Sequence, residues 1–214
     1  MIRFREPLNS FTHLFGAIFS LIALVAMLVK AVYTQGSVTV LLSVLIFGVS
    51  LILLYCASTI YHATFAKQTV IKWLRKIDHA MIFILIAGTY TPFCLIALDG
   101  MFGLILLIVI WTIALSGIIF KLTWFSCPRW FSTLLYILMG WLIAFAFVPL
   151  SRTVEPIGLS LLLIGGIIYT LGGIIYAIKP NWIKTKHLGF HEVFHLFILA
   201  GSLAHFLSVY QYLL

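Results

Sequence analysis

Charge is what this sequence most lacks. Charged residues fill 8% of its 214 positions, against roughly a quarter in an ordinary soluble domain. A water-facing surface cannot be covered with so few, so a soluble globular fold is excluded. Cysteine is sparse as well: Cys56, Cys94 and Cys127 stand far apart, with no C-x-x-C and no framework spacing. They read as small buried hydrophobes rather than as a disulfide scaffold. Long polar links are missing too, which leaves no room for a second domain, and residues 1–214 are expected to form one membrane domain. The first apolar run is too long for a signal-peptide core and no small-residue cleavage site follows it, so it is expected to stay as a permanent span.

What the sequence has in abundance is hydrophobicity, at 64% of its residues. Crossing ~30 Å of hydrocarbon as a helix takes about 20 mainly apolar residues. Seven runs qualify: Thr12–Tyr33, Thr39–Tyr61, Ile77–Leu98, Met101–Lys121, Phe131–Leu150, Ile157–Ile178 and Phe190–Tyr212. Turn chemistry separates them at Asp99-Gly100, Cys127-Pro128, Glu155-Pro156 and Lys179-Pro180-Asn181. The expected fold is all-α, a bundle of seven transmembrane helices.

The net charge of +8 would suggest nucleic acid if it lay on one soluble face. Instead the basic residues sit in short clusters between the apolar runs. Arg3, Arg5, Lys67, Lys72, Arg75, Lys76, Lys121, Arg129, Lys179, Lys184 and Lys186 fall on one side, eleven of the thirteen, and only Lys30 and Arg152 on the other. The positive-inside rule therefore places the N-terminus in the cytoplasm and the C-terminus outside it. Trp73, Trp124, Trp130 and Trp182 mark the same cytoplasmic boundary. The partners implied are membrane lipids and a lipid substrate, with no nucleic acid.

Two features bear on packing. Gly165, Gly166, Gly172 and Gly173 of the sixth run form two pairs seven residues apart, one helical stripe suited to close contact with a neighbour. Gly88-Thr89-Tyr90-Thr91-Pro92 is expected to kink the third helix.

Ionisable side chains inside a membrane are costly, so each is a functional candidate. Here they cluster. Ser58 and His62 end the second run, Asp78 and His79 begin the third, His191, Glu192 and His195 begin the seventh, and His13 begins the first. All these ends face the cytoplasmic side of the expected topology. Residues four apart share a helix face, so Ser58 pairs with His62 and His191 with His195. Three imidazoles from two helices can hold one tetrahedral cation and leave a fourth position open, the composition of a catalytic zinc site. Zinc there would bring the pKa of bound water toward ~7 and polarise a carbonyl, and Asp78 could hold that water and take its proton. His191-Glu192-Val193-Phe194-His195 also spells H-E-x-x-H, the zinc-protease signature that would make Glu192 the base. Asp78 is the preferred base, because a carboxylate in the first turn of a span also suits the helix N-terminus. His205, ten residues past His195, points about 80° away around the helix and is not expected to join the same ion.

The segments Asn9-Ser10-Phe11-Thr12-His13, Ser58-Thr59-Ile60-Tyr61-His62, Lys76-Ile77-Asp78-His79-Ala80, Gly88-Thr89-Tyr90-Thr91-Pro92 and the pair His191 and His195 together resemble a known family. It is the bacterial hemolysin III branch of the progestin and adipoQ receptor family, within a superfamily of membrane hydrolases that includes the alkaline ceramidases. The resemblance covers nearly the whole chain. It implies seven helices, a cytoplasmic N-terminus, zinc on His62, His191 and His195, catalytic roles for Ser58 and Asp78, and hydrolysis of a lipid amide in some members. The chain lacks the N-terminal extension of the animal receptors, which points to a bacterial plasma membrane.

The leading expectation is a zinc-dependent intramembrane hydrolase of a lipid amide or ester that adjusts membrane composition. A membrane sensor in which zinc only clamps two helices is the alternative from a different class. A pore-forming cytolysin fits less well, because seven spans with a positive-inside bias describe a resident protein. Bis-histidine haem binding is a further alternative, readable from a Soret band.

Overall fold

The computed structural model describes residues 4–98, 100–124, 126–181 and 188–214. Arg3, Asp99, Trp182, Lys184 and Lys186, used in the sequence reading, lie outside these. Among the described residues all regular structure is helical, and seven helical stretches are long and apolar enough to cross a membrane.

The helices begin and end where backbone chemistry allows. Helix α1 (Pro7–Thr34) opens on a proline, which has no N–H to leave unsatisfied. It closes at Gly36, whose positive φ of 61° lets its N–H turn back to the Ala31 carbonyl. Helix α2 (Val38–Ala63) follows. Helix α3 (Gln68–Pro92) starts well before Ile77. Lys72, Arg75 and Lys76 are therefore helical rather than part of a loop: a helix at the membrane boundary can lay long basic stems along apolar surface and keep their charged ends in polar surroundings. Beyond Pro92 there is no sharp break. The chain continues as a π-helical stretch, Phe93–Ala97, which absorbs the carbonyl that the proline cannot satisfy. Helix α4 (Gly100–Thr123) comes next.

The fifth span is interrupted. Helix α5 (Arg129–Trp141) passes through a 3-10 stretch, Leu142–Ala146, into the short α6 (Phe147–Thr153). Backbone groups freed inside a bilayer must find partners within the protein. Tyr90 supplies them: its hydroxyl donates to the carbonyls of Gly140 at 2.7 Å and Met139 at 2.9 Å, and accepts from Ile143 N–H at 2.7 Å. The last two spans are α7 (Pro156–Ile178) and α8 (Phe190–Tyr212).

Helices α1, α2, α3, α5, α7 and α8 pack each on the next and close into a ring, while α4 stands outside against α3. Close approach in the α7–α8 pair depends on glycine. A Cβ on Gly165 would meet the His205 ring at 2.7 Å, and one on Gly201 would meet Tyr169 at 2.4 Å. The expected stripe on α7 is thus divided. Gly165 and Gly172 face α8, Gly173 lies against Thr133 of α5, and a Cβ on Gly166 would meet nothing. Large apolar side chains such as Phe11, Phe15, Ile22 and Ile108 are exposed on the outside, as expected of a lipid-facing surface.

At one end of the ring the start of α1 is fastened to the end of α2, with Arg5 N–H donating to Ala63 O and Glu6 N–H to His62 O. At the other end Lys30 Nζ and Gln35 Nε2, from the close of α1, donate to the carbonyls of Tyr210 and Leu213 at the close of α8. The first of these ends carries the candidate site.

Candidate metal centre

His62 lies in the last turn of α2, and His191 and His195 lie one turn apart at the start of α8. The ring closure brings them together. One nitrogen from each falls within 4.8 Å of the others, and Nε2 of His62 is 3.3 Å from Nε2 of His191. Two nitrogens at ~2.0–2.1 Å from a tetrahedral zinc stand about 3.3–3.4 Å apart. The spacing of this pair therefore fits a shared cation. His62 and His195 are almost fully buried and His191 partly so.

The surrounding bonds select which nitrogens are offered. His62 Nδ1 lies 2.6 Å from Glu6 Oε2. An ionised carboxylate only accepts, so Nδ1 carries the proton and the Nε2 lone pair is left for a metal. The hydrogen bond to His62 holds the Glu6 carboxyl down at about 2, against the opposing effect of partial burial, and the charge of Arg5 adds to it. His195 Nδ1 has Thr12 Oγ1 at 3.4 Å, which leaves its Nε2 for the centre. His13 stacks on His195 with ring centroids 3.5 Å apart and is not among the three that converge. Its two nitrogens are buried and make no hydrogen bond among the described residues.

Glu192, the second letter of the H-E-x-x-H signature, is occupied elsewhere. One oxygen accepts from the Gly189 backbone N–H at 2.8 Å, which caps α8, and the other from Asn9 Nδ2 at 2.9 Å. It does not line the cavity beside the histidines. Asp78 and Ser58 do, and both are buried. The Ser58 hydroxyl faces Asp78 but completes no hydrogen bond. An unpartnered buried hydroxyl beside a cavity is free to meet a ligand.

That cavity has a volume of about 160 Å³ open to water-sized spheres. From Ser58, Asp78, His191 and His195 it runs between the helices past Leu85, Phe93 and Ile198 to Tyr169 and His205. Its walls away from the histidines are mainly apolar. His205 thus lies on the same cavity as His191 and His195 without joining the three that converge. His79, adjacent to Asp78, also reaches the cavity wall, and its Nε2 lies 3.4 Å from the Tyr176 hydroxyl.

The sequence puts the three histidines, Ser58 and Asp78 at one end of the bundle; in the structure the histidines converge, and Ser58 and Asp78 line the cavity with His191 and His195. The sequence reading missed Glu6 as a support. A signal for it exists: Glu6, Asn9 and His13 are spaced three and four apart, a polar stripe at the start of an otherwise apolar helix.

Comparison with known proteins identifies the family. A family profile described as "Haemolysin-III related" matches residues 1–206. The chain is 43% identical over 211 residues to "Hemolysin-3" of Bacillus cereus, covering 98% of this chain and 92% of that one. It is 42% identical over 207 residues to "Hemolysin-3 homolog" of Bacillus subtilis (strain 168), covering 97% and 93%. A more distant likeness, 25% over 172 residues and covering 78% and 69%, is to "Monocyte to macrophage differentiation factor" of Homo sapiens.

Proposed function

Because this chain belongs to the haemolysin-III related family and is a multi-pass bacterial membrane protein, we propose that it is a zinc-dependent intramembrane hydrolase of a lipid amide or ester. The observation that supports this reading best is the position of the three histidines. His191 and His195 line the polar end of a largely apolar cavity, beside a buried carboxylate and an unpartnered hydroxyl, and His62 joins them from behind.

His62, His191 and His195 would hold the ion, and zinc in such a site supplies Lewis acidity toward a carbonyl and acidifies a bound water. The protein's own groups divide the remaining work. Glu6 keeps the Nδ1 proton of His62 in place and so aims its Nε2. Asp78 accepts the proton of the attacking water and returns it to the departing amine or alcohol, as the acyl C–N or C–O bond breaks and a carboxylic acid is left. Ser58 donates its hydroxyl to the substrate carbonyl oxygen. The apolar wall receives the acyl chain and excludes water. The positive-inside count places this chemistry at the cytoplasmic face, so a reporter active only outside the cytoplasm should be active when fused after Leu214.

One observation favours a second reading. The three ligands join α2 to α8, two helices that do not share an extensive contact of their own, so a metal could serve only as a clamp. Turnover separates the two. Purified protein should release fatty acid from at least one member of a panel of lipid amides and esters, stop after chelation and recover with zinc. Full zinc occupancy with no turnover across the panel would leave the clamp.

A further inference from the structure

Three basic side chains and one carboxylate line the cavity near the metal centre: Arg75, Lys121 and Arg129 against Asp78. Lys121, in the last turn of α4, is the one the fold leaves least provided for. It is 4% exposed, and its Nζ donates at 2.6 Å to the hydroxyl of Ser132, a neutral group. Among the described residues no carboxylate comes within ion-pair distance of it. A buried ammonium is costly unless an opposite charge meets it. The partial negative charge of the α4 C-terminus eases that cost without filling the remaining donors.

Arg129, half-buried, reaches the cavity from the other side. It is the first residue of α5, where a cation opposes the positive end of the helix dipole. Its guanidinium rests over the rings of Tyr176 at 5.5 Å and Phe190 at 5.9 Å, with no carboxylate in ion-pair reach among the described residues. Two cations with no acidic partner among the described residues, both on the wall of one cavity, suit an anionic ligand. The depth of the site identifies the source. The last turn of α4 and the first turn of α5 are ends of candidate membrane spans, the depth at which a bilayer holds its lipid phosphates. From there the same cavity continues along an apolar wall fit for acyl chains.

We propose that Lys121 and Arg129 bind the phosphate of an anionic membrane lipid, so that the lipid presented to the three-histidine centre is a phospholipid and not a neutral one. The proposal rests on the hydrolase reading for the chemistry that follows, but the binding site itself does not. Lys121 supplies the buried charge and Ser132 orients it. Arg129 offers a planar fork that can take two phosphate oxygens at once.

The test is a binding measurement. Native mass spectrometry of the purified protein, titrated with phosphatidylglycerol and with diacylglycerol of the same chains, reads the preference directly. The wild type should favour phosphatidylglycerol at least about tenfold, the weight of one charge-assisted hydrogen bond. Lys121→Met keeps the apolar stem and removes the charge. It should abolish the preference with no loss of bound zinc and no fall in melting temperature. Arg129→Gln should reduce the preference by a smaller factor, and it decides the matter if Lys121→Met fails to fold. A preference unchanged in the folded variants would overturn the site. Inorganic phosphate that binds as tightly as phosphatidylglycerol would make free phosphate the ligand and overturn the lipid assignment. Protein that binds phosphatidylglycerol yet hydrolyses nothing would keep this site and lose the hydrolase reading. Hydrolysis of neutral lipid, indifferent to Lys121→Met, would do the reverse.

Discussion

The two ends of this bundle are held together by different means. At the metal end, side chains do the joining. Glu6 reaches His62 across 56 positions of sequence, and Asn9 reaches Glu192 across 183. His13 stacks on His195, and Asp78 and Ser58 stand with them around the head of a cavity. Toward the opposite end the backbone changes its winding, through the π-helical stretch after Pro92 and the 3-10 stretch after Trp141. There the polar side chains, Tyr90 above all, serve mainly to satisfy main-chain groups. Buried polar atoms without partners gather mainly at the metal end, with His205 Nδ1 a further one along α8. The excess at the metal end, in Ser58, His13 and Asn9 atoms without partners, supports the proposal of a site there.

This contrast can be broken by substitution, and the largest effect should fall on the ligands. His62→Ala, His191→Ala and His195→Ala should each remove most of the bound zinc, as measured by elemental analysis of purified protein. His13→Ala and His205→Ala should retain it. Zinc kept after loss of His191 would mean a different ligand set.

Removing the support behind a ligand should cost less. Glu6→Ala takes away the acceptor that orients His62, and such partners are worth about 10–100-fold in metal affinity. A competition titration with a chelator of known strength would show it. Equal affinity in the variant would demote Glu6 to a surface contact.

A smaller effect is expected at the opposite end. Tyr90→Phe leaves the Ile143 N–H and two carbonyls without their shared partner, at a cost of about 1–3 kcal/mol. The melting temperature should fall while bound zinc stays at the wild-type level. A loss of zinc in this variant would show that the two ends are not separable.

Much of this was legible in the sequence because membranes impose simple rules. Seven runs of about 20 apolar residues admit one reading. His191 and His195 declared their shared face by spacing alone, and His62 joined them once the topology placed its helix end at the same depth. What escaped has physical reasons. The start of α3 at Gln68 was hidden because Lys72, Arg75 and Lys76 look like a loop in composition, though a boundary helix accommodates them. The 3-10 interruption at Leu142–Ala146 carries no proline of its own. It is stabilised by Tyr90, some 50 residues away, which no local pattern reveals. Glu192 was misleading in the other direction: its motif suits a zinc protease, yet the fold uses both of its oxygens to cap α8 and hold Asn9.

We propose that Asp78, and not Glu192, handles the proton at a three-histidine zinc centre. This is met most directly by one paired measurement of zinc content and lipid hydrolysis in Asp78→Asn beside Glu192→Gln. An amide cannot take the proton, so Asp78→Asn should keep its zinc and lose about 100-fold or more of its turnover, whereas Glu192→Gln should keep both. Full turnover in Asp78→Asn, or its loss in Glu192→Gln with zinc still bound, would contradict the assignment.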